Sequence, residues 1–92
     1  MSKKLEYRKL ERIIKGFANH RRMQILAALD KEPELSVQEI SDRVKSEMKN
    51  ISAHITKLAV AGLLIKRSDS KSIRHKLTKR GIFILKFVRM LE

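Results

Sequence analysis

The residues from Ser36 to Gly62 constrain the fold most, because their pattern predicts two short helices joined by a tight turn. Ser36 stands three positions before Glu39, the spacing of a capping box, which predicts that a helix begins there. Apolar residues then recur at spacings of three and four, with a break near residue 46, at Val37, Ile40, Val44, Met48, Ile51, Ile55 and Leu58. Gly62 follows where a left-handed residue would end the second helix.

The second of these helices has a polar outer face. At about 100° per residue, the side opposite the apolar stripe carries Lys49, Ala53, Thr56 and Val60, flanked by Asn50 and Lys57. The N-terminal half of that face is therefore basic and polar.

The charge balance indicates a partner. The 92 residues include 22 Lys and Arg against 10 Asp and Glu, which gives a formal charge of +12. This excess is more than solubility requires and implies a densely negative partner, for which nucleic acid is the leading candidate. The chain has no cysteine, so disulfides, thiolate metal ligands and thiol nucleophiles are excluded.

Amphipathic helices are predicted at both ends of the chain, over about residues 3–16 and 78–91. The first has apolar residues at helical spacing among basic ones, namely Leu5, Leu10, Ile13, Ile14 and Phe17. The last, with Thr78 as its cap, is apolar around almost its whole circumference and must be covered. A domain this small buries only about 60 to 65% of its unfolded surface, which also favours a dimer. We predict a homodimer interface made by Leu10, Ile13, Ile14, Ile84, Phe87, Val88 and Leu91.

The remaining segments complete the predicted order of elements. Asn19 is a candidate N-cap for a second helix, and Pro33 ends that segment before Ser36. After Gly62 the period changes to alternation, so residues 64–77 are predicted to form a β-hairpin with a basic tip. The predicted fold is mainly α with a small β-hairpin, in the order α-α-α-α-β-β-α, as a single domain over residues 1–92.

The first residues, MSKKLEYRKLERIIKGF, carry charges throughout and resemble neither a secretory signal nor a membrane span. We expect a cytoplasmic, nucleoid-associated protein with no membrane partner. A basic amphipathic helix is also typical of membrane-surface and partner-binding segments, and that alternative stays open.

Three stretches resemble the ArsR-type family of winged helix-turn-helix transcription regulators. Residues 17–26, FANHRRMQIL, look like the family's second-helix signature, and ISAHI with AGLL, at residues 51–55 and 61–64, matches its recognition helix and exit. LTKRG at residues 77–81 looks like the junction from hairpin to last helix. Two residues depart from the family pattern, since Lys45 replaces a usual turn glycine and Glu47 a usual Ser or Thr cap. The resemblance implies a homodimeric regulator of transcription.

The resemblance also implies which residues contact duplex DNA, because the second helix of such a motif lies in the major groove. We predict base contacts from Lys49, Asn50 and Ala53, and backbone contacts from His54, Thr56 and Lys57. His54 lies at the edge of the apolar stripe, so a packed histidine is the competing interpretation. The predicted wing contacts come from Arg67, Lys71, Arg74 and Lys76, for which a solvated charge run is the alternative.

No catalytic pattern is present. The serines and histidines have no nucleophile and base spacing, and there is no glycine-rich phosphate loop. The three histidines, His20, His54 and His75, fall on separate predicted elements. The chain also lacks the cysteine ligands of the family's metal sensors, so we expect no metal and no cofactor.

The sequence therefore predicts a sequence-specific binder of double-stranded DNA, a homodimeric repressor and not an enzyme. A non-specific architectural DNA binder and a winged-helix protein-interaction module remain alternatives. RNA is the weaker nucleic-acid partner, because no aromatic residue lies in the predicted binding helix to stack on bases.

Overall fold

The described residues of the chain form five helices and one two-stranded hairpin. The computed structural model describes residues 4–92, and its elements are α1 (Tyr7–Phe17), α2 (His20–Lys31), α3 (Val37–Val44), α4 (Met48–Val60), β1 (Leu64–Ser68), β2 (Ile73–Leu77) and α5 (Lys79–Met90). This order confirms the predicted fold class.

The first helix begins later than the sequence predicted. It starts at Tyr7, not at residue 3, and Leu5 lies before it with 61% of its surface exposed. Glu6 at the N-cap makes no side-chain capping hydrogen bond, and an exposed Leu5 contributes little packing to extend the helix. Lys3 lies outside the described residues.

Local capping signals set the other helix ends, as predicted. The Asn19 side chain accepts hydrogen bonds from the backbone N–H groups of Arg21 and Arg22. Ser36 and Glu39 form both halves of the capping box, at 3.2 and 3.0 Å. Thr78 Oγ1 accepts from the backbone of Gly81. These bonds satisfy amide groups that the first turn of a helix leaves without partners.

The core is formed mainly by α2, α3 and α4, with α1, the hairpin and α5 closing it. Its largest fully buried side chains are Ile25, Leu26, Leu29, Ile40, Ile51, Ile55, Leu58, Leu63, Leu64 and His75. The predicted stripe of α4 is thus buried except at its start, where Met48 is 48% exposed. Met48 lies in the first turn of α4, beyond the edge of the core.

The hairpin is attached to the body of the domain through the loop before α3. The two strands pair antiparallel from Leu64 with Leu77 to Ser68 with Ile73. An additional bridge joins Leu35 to His75, whose backbone N–H and ring Nδ1 both lie 2.9 Å from the Leu35 carbonyl oxygen. His75 is therefore a buried structural residue that fixes the base of the wing, which we define as residues 64–77.

Candidate nucleic-acid interface

The outer face of α4 presents the three residues predicted to contact bases. Lys49, Asn50 and Ala53 are all exposed. Their direction is fixed by the opposite side of the helix, where Ile51 and Ile55 are buried with at most 1% of their surface exposed. Because core packing sets the rotation of α4, these three side chains project outward together from its N-terminal half.

The turn before α4 is held by its own hydrogen bonds. Ser41 Oγ donates to the Ser46 carbonyl oxygen at 2.6 Å, and the Ser46 N–H donates to the Ser41 carbonyl oxygen at 3.1 Å. Lys45 adopts a left-handed conformation with φ 56°, and Glu47 makes no side-chain cap to α4. The two departures from the family pattern therefore coincide with a left-handed turn residue and an uncapped helix start.

The exit of α4 is a Schellman motif. Gly62 has φ 78°, its N–H donates to the Ala59 carbonyl, and the next N–H, of Leu63, donates to the Leu58 carbonyl. The left-handed glycine predicted at this position is confirmed, because a residue with a Cβ atom pays a steric cost there.

The three predicted backbone contacts have different surroundings. Thr56 and Lys57 are exposed on α4, and the Thr56 hydroxyl donates to the Ser52 carbonyl oxygen at 3.0 Å. His54 is partly buried, and its Nδ1 lies 3.1 Å from Arg22 Nε, which donates to it. Burial lowers the pKa of His54, and the charges of Arg22, Lys57, His20 and Arg21 lower it further. Both effects favour the neutral form of the imidazole.

Arg21 and Arg22 each tie α2 to the end of another helix. Arg21 Nη1 donates to the Val44 carbonyl oxygen at 2.8 Å, and Arg22 Nη1 donates to the Lys15 carbonyl oxygen at 3.0 Å. Each guanidinium thus satisfies a carbonyl at the C-terminal end of another helix, α3 for Arg21 and α1 for Arg22. No ion pair of either arginine is found among residues 4–92.

The four predicted basic residues of the wing fall into two groups, two arginines with acidic partners and two lysines without any among residues 4–92. Arg67 pairs with Glu34 at 3.4 Å, and Arg74 donates to the Glu34 carbonyl at 2.9 Å and pairs with Glu39 at 3.4 Å. Lys71 and Lys76 are exposed and form no ion pair within the described part of the chain. Arg74 pairs in addition with Asp69 at 3.8 Å, so both arginines have acidic partners, whereas the two exposed lysines have none in the described chain.

A carboxylate shapes the tip of the wing. Asp69 accepts hydrogen bonds from the backbone N–H groups of Lys71 and Ser72, and these bonds hold the pKa of its carboxyl below the ordinary value. This aspartate turn positions Lys71 at the projecting end of the hairpin.

The terminal helices expose apolar side chains, though not all of those predicted. Leu10, Ile14, Phe87 and Leu91 are exposed. Ile84 and Val88 pack against the protein's own core, and Ile13 is partly buried beside α4. Sequence reasoning missed Phe83 and Met90, which are 69% and 79% exposed. The apolar surface of α5 is therefore rotated from the predicted one.

Neither a metal site nor a membrane span is found in the described part of the chain. Within residues 4–92, no three His, Asp or Glu side chains are grouped as metal ligands. The helices of the same residues are too short or too polar to cross a bilayer.

Comparison with known proteins finds one matching family and one curated relative. The HVO_A0114 family matches residues 18–82. The transcriptional activator HlyU of Vibrio cholerae is 35% identical over 70 residues, which are 76% of this chain and 64% of HlyU. The chain therefore spans less than two thirds of that relative's length.

Two solved structures share the fold. Reduced HlyU from Vibrio cholerae superposes with a TM-score of 0.78 and 30% identity, covering 92% of this chain and 90% of that one. The homodimeric winged helix-turn-helix DNA-binding domain of Mb0332 from Mycobacterium bovis, a possible ArsR-family regulator, has a TM-score of 0.82 and 22% identity, covering 99% and 89%. The Mb0332 similarity shows the fold alone. Because the family match covers most of the chain, and HlyU shares both fold and sequence with it, this chain belongs to the HVO_A0114 family and is an ArsR-type winged helix-turn-helix protein.

Proposed function

We propose that this chain is a homodimeric transcription regulator that binds duplex DNA in a sequence-specific manner. The observation that carries the proposal is the outer face of α4, where Lys49, Asn50 and Ala53 are exposed together on the second helix of the motif. In this class of fold that helix enters the major groove, with its N-terminal residues at the base edges.

The chemistry of these three side chains suits base recognition. An asparagine amide can bind adenine through two hydrogen bonds, and a lysine can donate to the acceptors of guanine. An alanine methyl group packs against the thymine methyl group. The three side chains can therefore distinguish different bases: Asn50 favours adenine, Lys49 favours guanine and Ala53 favours thymine.

The remaining contacts are assigned to the DNA backbone. Lys57 and Thr56 follow on the same exposed side of α4, and Lys71 and Lys76 face outward from the wing. Arg67 pairs with Glu34, and Arg74 pairs with Glu39 and Asp69, so their charges are partly compensated and we assign them smaller shares of the binding. His54 is a weaker backbone contact than its neighbours, because it is partly buried and its lowered pKa disfavours the charged form that binds phosphate best.

We further propose that α1 and α5 form the dimer interface. The exposed apolar side chains on these helices include Leu10, Ile14, Phe83, Phe87 and Leu91. Contact with a second copy would remove these apolar side chains from water. It would also fix the position of one α4 helix relative to the other. The dimer would then meet half-sites about 34 to 36 Å apart on one face of the duplex. Such a protein works in the cytoplasm on the nucleoid.

The direction of regulation is proposed to be repression, because a dimer bound over a promoter excludes the polymerase. The relative HlyU is called an activator, so the direction needs its own test. In a reporter assay with a selected binding site at the promoter, expression should fall when this chain is produced. A rise would contradict repression while leaving DNA binding intact.

Variants separate base reading from backbone contact. Asn50→Ala should relax preference at one base-pair position, while Lys71→Ala should weaken binding to all duplexes and reduce the salt slope by about one unit. Lys31→Ala, at an exposed lysine at the end of α2 outside the proposed DNA and dimer surfaces, is the matched control. The measurement is fluorescence anisotropy with specific and random duplexes over a range of salt concentrations. Equal losses on every duplex for Asn50→Ala would contradict its base-reading role.

A non-specific architectural binder is the second candidate function. It is favoured by the formal charge of +12 and by the small number of base-reading side chains on α4. This alternative predicts a ratio of specific to random affinity close to one. Failure to bind any duplex at low salt would instead favour a protein-interaction module.

A further inference from the structure

A cleft of about 530 Å³ lies between α1 and α4, beside the proposed backbone contacts. The helices approach closely at its edge, where a Cβ atom on Gly16 would lie 2.5 Å from the Cβ atom of Ala61. The lining includes apolar surface from Ile13, Val60 and Ala61. Val60 is 85% exposed although it lies on α4, whose other side is buried in the core. The volume falls within the range of small-molecule sites in proteins.

The rest of the cleft is strongly basic. Six basic residues line it, namely Lys9, Arg12, Lys15, Arg22, Lys57 and Arg80. No acidic residue of the described chain lines it. The Lys15 ammonium pairs with Glu11 at 2.7 Å, on the exposed surface of α1. The other five form no ion pair within residues 4–92, so their positive charge lacks a compensating carboxylate.

Two of these cations are held in place by neutral groups. Arg22 Nη1 donates to the Lys15 carbonyl oxygen at 3.0 Å, and Arg80 Nη1 donates to the Ala61 carbonyl oxygen at 3.0 Å. A carbonyl orients a guanidinium but leaves its charge uncompensated and some of its N–H donors unused. The two arginines are therefore positioned in advance to bind an anion.

We propose that this cleft binds a small amphipathic anion, with a carboxylate or phosphate head at its basic residues and an apolar body against Ile13, Val60 and Ala61. The apolar surface favours such a molecule over a DNA phosphate, which would gain nothing from it. The concave shape favours a soluble ligand over a membrane surface. Ile14 projects from the opposite side of α1, about 160° from Arg12, so dimerisation through Ile14 leaves the basic side of the cleft open.

Binding in the cleft would oppose DNA binding. Thr56 and Lys57 line it and are also the proposed backbone contacts of α4. A bound anion neutralises Lys57 and competes with phosphate for it, so the ligand acts as an inducer. This consequence rests on the proposed function, whereas anion binding itself does not.

The test uses straight-chain carboxylates from butanoate to octanoate, with inorganic phosphate for comparison, at constant ionic strength. Amide chemical shifts of the full ¹⁵N-labelled chain are followed by NMR. We expect saturable shifts at Gly16, Val60 and Ala61, with an affinity that rises up to about fourfold for each added methylene that the cleft buries. Arg12→Gln and Val60→Ser should each weaken octanoate binding, and the control Lys86→Gln should not. Anisotropy with duplex DNA then measures whether octanoate lowers DNA affinity.

Each outcome decides a separate point. Shifts that are scattered over the surface, or an affinity independent of chain length, would overturn the proposal in favour of general anion attraction. Loss of binding in Lys86→Gln equal to that in Arg12→Gln would overturn it too. If octanoate binds the cleft but DNA affinity is unchanged, the inducer role is wrong. If no duplex binds in the absence of octanoate, the proposed function fails while the anion site stands.

Discussion

Lys45 holds the turn between α3 and α4 in the left-handed region, with φ 56° and ψ 55°. A residue with a Cβ atom pays about 1 to 2 kcal/mol for this conformation. Glycine avoids that penalty but loses about 0.5 to 1 kcal/mol more conformational entropy on folding. The difference predicts that Lys45→Gly raises the free energy of unfolding by about 0.5 to 1 kcal/mol. For a domain of this size, that corresponds to a rise in Tm of about 2 to 8 °C.

A short series of substitutions isolates the backbone effect from the loss of charge. Lys45→Asn also removes the ammonium group, but asparagine tolerates the left-handed region better than lysine, so it should stabilise by less than glycine. Lys45→Val should destabilise by about 1 kcal/mol or more, because a β-branched residue is strongly disfavoured at positive φ. The expected order of stability is Gly, Asn, Lys and Val.

The assay is urea denaturation followed by circular dichroism, with the m-value checked for constancy across the series. The bonds between Ser41 and Ser46 should keep the turn geometry in every variant. A destabilising Lys45→Gly, or a neutral Lys45→Val, would refute the reasoning. Either result would mean that the left-handed conformation does not determine the stability of this turn.

Three further predictions follow from the structure. Phe87→Glu should convert the dimer to a monomer with an unchanged circular dichroism spectrum, and a persistent dimer by sedimentation would exclude α5 from the interface. Because burial and then the Arg22 charge lower the pKa of His54 from its ordinary value of 6.5, the folded chain binds this proton less readily than the unfolded chain. The free energy of unfolding should therefore fall as the pH drops below about 6.5, and it should fall less in His54→Gln. Equal pH dependence of the two proteins in urea denaturation would contradict this. Gly81→Ala should destabilise by about 1 to 3 kcal/mol, since the added Cβ atom would meet the Leu63 carbonyl oxygen at 2.0 Å, and an unchanged thermal midpoint would contradict it.

Signals within a few residues of one another predicted much of the fold. The caps at Asn19, Ser36 and Thr78 could be predicted because the donor and the acceptor lie within three positions in the chain. The left-handed Gly62 and the buried stripe of α4 could also be predicted, because the end of a helix and its periodicity are local properties of the sequence.

Long-range packing determined what the sequence could not predict. The bridge from Leu35 to His75 joins residues 40 positions apart, and no local pattern indicates it. Helical periodicity identified α5 as apolar all round but not which side meets the core, so Ile84 was assigned outward while Phe83 was missed. The cleft between α1 and α4 arises only from the way those helices pack.

The most direct test of the central claim is selection of bound duplexes from a random DNA pool by the wild-type chain and by Asn50→Ala in parallel, with the mass of the free protein measured in solution. We predict a dimer mass and a palindromic consensus whose half-site centres lie one helical turn apart, about 34 to 36 Å. Asn50→Ala should lose preference at one position in each half-site and keep it elsewhere. Recovery of duplexes with no consensus from the wild-type chain would contradict sequence-specific recognition by α4.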